Sequence, residues 1–112
     1  MKAEELDALK AELRAKYPNS KLKGLKFADV PGRGDVIVVL RSLTQPERVL
    51  YIPKIKRNED AAANKQLTLQ VTVHPSREAL EAFLEVLPVA CEKIASEAID
   101  LGGMEAEDLG NF

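Results

Sequence analysis

The chain has 112 residues, 46% of them apolar and 30% charged, which suits one folded domain with a single modest core and excludes a disordered polyelectrolyte. Its net charge of −2 is unevenly split: residues 1–60 carry 13 basic and 9 acidic side chains, whereas residues 61–112 carry 3 and 9. An acidic balance with five aromatic rings and no Trp argues against nucleic acid as a partner, because phosphate neutralisation needs excess cations and base stacking needs rings.

The charge asymmetry is accounted for by two solvated faces that differ, and it also permits a homo-oligomer. Cys91 is the sole cysteine, so an internal disulfide is excluded. The opening MKAEELDALK places acids early and has no apolar signal core, and no apolar run approaches the roughly 20 residues that span a bilayer. The expected setting is a reducing cytoplasm, with no membrane partner.

In chain order, residues 3–17 read as an amphipathic helix with Leu6, Leu9, Leu13 and Tyr17 on one narrow stripe, Glu12 placed to pair with Lys16, and Pro18-Asn19 as the stop. Such a stripe predicts a helix docked on the domain. Residues 21–30 and 35–42 read as a β-hairpin. Its first arm is charged, with Leu25, Phe27 and Leu22 as candidates to face inward. Its second arm holds the unbroken run Val36 to Leu40, which suits a strand covered on both faces. Between the arms, Pro31-Gly32-Arg33-Gly34 supplies the glycines that a tight reversal needs.

Residues 44–57 are ambiguous. Thr44-Gln45-Pro46-Glu47 has the spacing of a capping box, after which Val49, Leu50 and Ile52 begin an apolar face, but Pro53 argues against a long helix. A short helix and a strand-like stretch ending in Lys54, Lys56 and Arg57 both remain open. Residues 59–73 are mixed as well: EDAAANKQ favours helix, whereas Leu67, Leu69, Val71 and Val73 alternate as in a strand. The reading adopted is helix over most of the segment, with Ala63, Leu67 and Gln70/Val71 on one side.

Residues 76–87 give the clearest helix, with Ser76 as N-cap, Glu78 in the first turn, and Leu80, Phe83, Leu84 and Leu87 at i, i+3, i+4 and i+7. Glu81 and Glu85 fall on the opposite, solvent side. Pro88 kinks this helix or starts the next, which runs over 89–101 with Ala90, Ile94, Ala98 and Leu101 on its stripe and Gly102-Gly103 as its stop. Residues 104–112 are acidic and read as a flexible tail. The expected architecture is α+β: an N-terminal helix, a β-hairpin and a helical C-terminal half, forming one domain over 1–103.

Reactive side chains are scarce. His74, the only histidine, has no nucleophile or carboxylate that the sequence nominates beside it. Cys91 falls among Val89, Ala90 and Ile94 and reads as a small apolar filler. One His and one Cys cannot close a zinc site without help from carboxylates or another chain. Arg33-Gly34-Asp35 spells an adhesion tripeptide, yet a hairpin tip needs glycine there regardless. Lys21, Lys23 and Lys26 with Lys54, Lys56 and Arg57 form a candidate basic patch, set against an acidic whole. No catalytic, cofactor or metal site is expected.

The order of these features resembles the small tail assembly chaperones of long-tailed bacteriophages. The matching stretches are Gly34-Asp35-Val36-Ile37-Val38-Val39-Leu40-Arg41, then Leu43-Thr44-Gln45-Pro46-Glu47, then Val73-His74-Pro75-Ser76 through Phe83-Leu84-Glu85-Val86-Leu87-Pro88, closing at Leu101-Gly102-Gly103. Together they cover most of residues 20–103. The resemblance implies a non-enzymatic protein that binds the long, largely helical tape measure protein, keeps its apolar faces from aggregating and helps recruit tail tube subunits. It further implies residence in the host cytoplasm and absence from the finished virion. Leu80, Phe83, Leu84, Leu87 and Ile94 are the candidate client-binding residues, with ordinary core packing as the competing role. The alternatives are a small phage-encoded regulatory or inhibitory protein that binds a host protein, and a minor structural tail subunit.

Overall fold

A computed structural model describes residues 3–56, 61–101 and 111. The elements run α1 (Ala3–Lys16), β1 (Leu22–Val30), β2 (Gly34–Arg41), α2 (Gln45–Lys56), α3 (Ala61–Val71), β3 (Thr72–His74), α4 (Arg77–Val86) and α5 (Ala90–Leu101). The fold is α+β, with an N-terminal helix, a hairpin and a helical C-terminal half. The Gly102-Gly103 stop and, apart from Asn111, the acidic segment 104–112 lie outside the described residues.

The three strands form an antiparallel sheet in the order β1-β2-β3. The hairpin pairs Leu25 with Val38 and Phe27 with Val36, then slips before Val30 meets Gly34. Asp29 takes up the slip at φ 55, a left-handed conformation that Asp adopts more readily than most residues. Gly32 and Gly34, at φ 73 and 70, complete the reversal. Asp35 reaches back to fasten it: its Oδ1 accepts the amide of Asp29 at 3.2 Å, and Lys26 sits 3.4 Å from Oδ2. The Asp29 amide and Lys26 hold the Asp35 carboxyl below its ordinary range.

Strand alternation gives the sheet two different faces. Val36, Val38 and Leu40, with Leu25 and Phe27 across the ladder, face the main core. There the rings of Phe27 and Phe83 meet tilted at 56°, with centroids 5.2 Å apart, a geometry worth about 0.5–1.5 kcal/mol beyond the area buried. Val39 points to the other face, where α1 lies over it with Leu6, Leu9 and Leu13. Both sides of β2 are therefore covered, as its unbroken apolar run predicts. Leu22 belongs to the α1 side, unlike Leu25 and Phe27.

The helical half closes over the core. Ala63, Leu67 and Val71 of α3 and Ala90, Ile94, Ala95 and Ala98 of α5 are all buried, and the alanines let the two helices approach closely. Thr68, fully buried between them, shares its hydroxyl proton between the carbonyl oxygens of Asn64 at 2.7 Å and Cys91 at 3.0 Å, so no polar group is stranded there. From Ala61 onward the ambiguous stretch 59–73 is helix to Val71, then a short strand whose His74 pairs with Val39; residues 59 and 60 lie outside the described residues.

Two local expectations need correction. Helix α2 continues through Pro53 to Lys56. Proline deprives the Val49 carbonyl of its amide partner, but Val49 and Pro53 both lie on the solvent side, where water can take the amide's place. The Glu12–Lys16 pair does not form; the Lys16 ammonium instead sits 5.9 Å from the centre of the Tyr17 ring.

Candidate functional site

The five residues expected to meet a client hold the core together. Leu80, Phe83, Leu84 and Ile94 are 1%, 1%, 5% and 0% exposed, and Leu87 is half-buried against the same cluster. Helix α4 starts on Ser76, whose hydroxyl accepts the Ala79 amide at 3.4 Å, and this entry turns the Leu80–Phe83–Leu84 stripe inward under the sheet. In the folded chain these side chains do not form an accessible docking surface. The reason is volume: a domain this small draws most of its large side chains inside to fill the space beneath Val38 and Leu40.

The densest polar cluster joins the sheet to α2. Arg41 grips Glu47 with both terminal nitrogens, at 2.8 and 2.9 Å, and also donates to the carbonyl oxygens of Ser42 at 3.1 Å and Gln70 at 3.2 Å. Glu47 accepts the Thr44 amide at 2.8 Å, and the Thr44 hydroxyl faces the Glu47 amide at 3.4 Å. This is the capping box that the sequence spells, with an arginine added to it. Hydrogen bonds from Arg41 hold the Glu47 carboxyl at about 2, and Glu47 in turn raises the Arg41 guanidinium above its ordinary value. Tyr51 adds a second fastener, donating its hydroxyl to Gln70 Oε1 at 2.8 Å. Both carboxylate oxygens of Glu47 accept hydrogen bonds from neighbouring elements, so the cluster joins strand, turn and helix.

The other titratable groups are dispersed. His74 is half-buried at the edge of the sheet. Cys91 is half-buried against the core, and burial raises its thiol pKa, the opposite of what a reactive thiolate needs. Glu97 bridges Lys23 of β1 and Lys93 of α5, and these two ammonium groups hold it at about 2. Among the described residues, no group of three or more His, Cys, Asp or Glu side chains converges as a metal site would require. The expected basic patch is broken up as well: Lys23 pairs with Glu97, Lys26 with Asp35, and Lys54 lies on a different element. Arg57 and the side chain of Lys56 lie outside the described residues. No helix among those described is long and apolar enough to cross a membrane.

The exposed apolar surface lies elsewhere. Helix α2 turns Val49 and Leu50 to solvent, 67% and 51% exposed, between exposed Pro46 and Pro53. These four positions are i, i+3, i+4 and i+7 of one helix, a continuous ridge about two turns long. Lys54 stands beside it, and Arg48 at its flank has a buried Nη1 without an acceptor. A second, smaller apolar spot lies at the α4–α5 joint, where Val86 and Val89 flank exposed Pro88. In the sequence the α2 ridge is hidden by Pro53, which reads as a helix breaker. Had α2 been continued to Lys56 from its capping box, the 46/49/50/53 spacing was the available signal. Neither a family model, nor a curated protein, nor a solved structure matches this chain.

Proposed function

We propose that this chain is a non-enzymatic assembly chaperone or adaptor for bacteriophage tails. Its client is the long helical tape measure protein, held in the host cytoplasm while tail tube subunits are recruited, and released before the virion is complete. The resemblance over residues 20–103 supports the choice of client. The observation that carries the binding role is the outward ridge of α2, with Val49 and Leu50 in water on a helix whose inner side is fastened by Arg41–Glu47 and Tyr51–Gln70.

A client helix laid along this ridge would cover both side chains, in a helix-against-helix contact read at i, i+3 and i+4 spacing. Covering the area still exposed on each is worth about 1–2 kcal/mol before the costs of association. A contact of that size is weak and reversible, which suits a holder that must let go. Lys54 favours acidic residues on the flank of the client stripe.

Co-expression with a tape measure protein encoded beside this chain tests the reading. The expected result is a soluble client that co-purifies with the chain. Val49→Asp with Leu50→Asp should abolish co-purification while leaving the fold intact by circular dichroism. A client that is equally soluble with and without the chain, or that is retained by the double variant, would overturn it.

A further inference from the structure

Helix α1 meets the outer face of the sheet along a crevice of about 100 Å³. Leu6, Leu9, Leu13 and Val39 line it together with Lys10, Arg14 and Lys23, and no described acid does. A Cβ placed at Gly24 would meet nothing within 4 Å, so the crevice is open on that side. Leu6 and Leu9 are only half-buried, which leaves apolar surface beneath a cationic rim. Lys23 is engaged with Glu97, whereas Lys10 and Arg14 make no ion pair among the described residues.

The α4–α5 joint has the opposite character. Val86 and Val89 are 41% and 67% exposed, with exposed Pro88 between them. The joint is stiff: Leu87 donates its amide to the Phe83 carbonyl at 2.9 Å, Ala90 to Leu87 at 3.1 Å and Cys91 to Pro88 at 3.2 Å, and the proline ring fixes its own φ. Apolar side chains on so fixed a backbone lose little freedom when covered. Glu85 and Glu92 flank them, exposed and without an ion pair among the described residues. Glu81 is taken by Arg77, and Lys65 is the cation that shares the recess beside Glu85 and Pro88.

The chain cannot seat this joint in its own crevice. Helices α4 and α5 pack under the core face of the sheet, whereas the crevice lies on the outer face. The joint also precedes Ala90, while it is the Leu101 end of α5 that borders Arg14, Leu22 and Lys23, and the twelve residues of α5 span about 17 Å. A second copy has no such constraint, and its charge complements the rim: residues 1–60 carry 13 basic and 9 acidic side chains, whereas residues 61–101 carry three and six. We propose that the α4–α5 joint of one copy docks in the α1–sheet crevice of another, with Val89 between Leu6 and Leu9 and with Glu85 and Glu92 against Lys10 and Arg14. Two different patches on opposite faces make the contact head-to-tail, so each copy can accept one neighbour and offer its joint to a further one. The proposal stands on these two patches, independently of the tape measure reading and of the α2 ridge.

Sedimentation velocity of the full-length chain tests it. In about 0.05 M salt the average mass should rise continuously with concentration and pass that of a dimer, and about 1 M salt should return it toward the monomer. Lys10→Glu with Arg14→Glu spoils the crevice, and Val86→Asp with Val89→Asp spoils the joint. Each double variant alone should associate at least about tenfold more weakly than the parent, with unchanged circular dichroism. Mixed in equal amounts, the two should form a heterodimer that grows no further, because one supplies an intact joint and the other an intact crevice. A parent that stays monomeric into the millimolar range, or that stops at a dimer, would overturn the proposal. So would association that salt does not weaken, variants that associate as the parent does, or a mixture that yields no heterodimer.

Discussion

Helices α4 and α2 carry apolar residues at the same i, i+3, i+4 spacing and use them in opposite directions. In α4, Leu80, Phe83 and Leu84 go inside and Glu78, Glu81 and Glu85 face water. In α2, Val49 and Leu50 face water, while Glu47 and Tyr51 are 7% and 6% exposed. The difference lies in the fastening. α4 is held by burial of its stripe. α2 is held in large part by hydrogen bonds that Glu47 accepts from Arg41 and that Tyr51 donates to Gln70, and its Val49 and Leu50 lie at the surface. Amphipathic spacing therefore locates an apolar face but does not say what covers it.

The sharpest way to break this comparison is to truncate α4. Phe83→Ala removes a ring that is 1% exposed and the partner of Phe27, and should cost about 3–5 kcal/mol in urea unfolding. A loss below about 1 kcal/mol would show that α4 is not held by its stripe.

The fastening of α2 is tested by Glu47→Gln, which keeps the shape and removes the charge. Leaving Arg41 half-buried opposite a neutral amide should cost about 2–3 kcal/mol. The pH dependence has a definite sign. The folded-state value of Glu47, about 2, lies below its ordinary 4.5. Its contribution is therefore fully present above pH 4.5 and is lost as pH falls from there through 2. Stability of the parent chain should decline over that window, and the decline should be shallower in Glu47→Gln. Glu97 also sits at about 2, but on the surface between two lysines, so Glu97→Gln should change the acid limb less. An acid limb identical in parent and Glu47→Gln would remove the Arg41 anchor from the account of α2.

Ser76→Ala compares the two helix entries at smaller scale. α4 has a single side-chain cap, whereas α2 has the reciprocal Thr44–Glu47 pair reinforced by Arg41. Losing the Ser76 hydroxyl should cost about 1 kcal/mol in the same unfolding assay. A cost equal to that of Glu47→Gln would mean that the arginine adds nothing to α2.

What was legible in the sequence follows the same division. The hairpin, the Ser76 cap and the inward stripe of α4 could be read because local spacing and tertiary burial agree there. The bulge at Asp29 could not, since nothing in Phe27-Ala28-Asp29-Val30 marks where the ladder slips. Helix α2 was half-read: its capping box is spelled out, but Arg41, which decides the facing of Glu47, comes from the preceding strand. Pro53 misled because its usual cost assumes a carbonyl that water cannot reach. The five residues expected to meet a client lie in or against the core, and here the reason is different. Leu80, Phe83, Leu84 and Ile94 form the strongest stripes in the chain, and the strongest stripes are the ones a small core takes first.

Leu50→Ser carries the smallest expected effect on stability and the largest contrast with Phe83→Ala. Leu50 is half in water, so shortening it should move the unfolding free energy by no more than about 0.5 kcal/mol. If the ridge binds, the same substitution weakens a client complex without touching the fold, because the apolar area lost belongs to the interface. A drop of more than about 1 kcal/mol in the isolated chain would mean that Leu50 is covered in solution. The pairing of one helix sealed by its stripe with another held by polar bonds would then give way to two helices sealed alike.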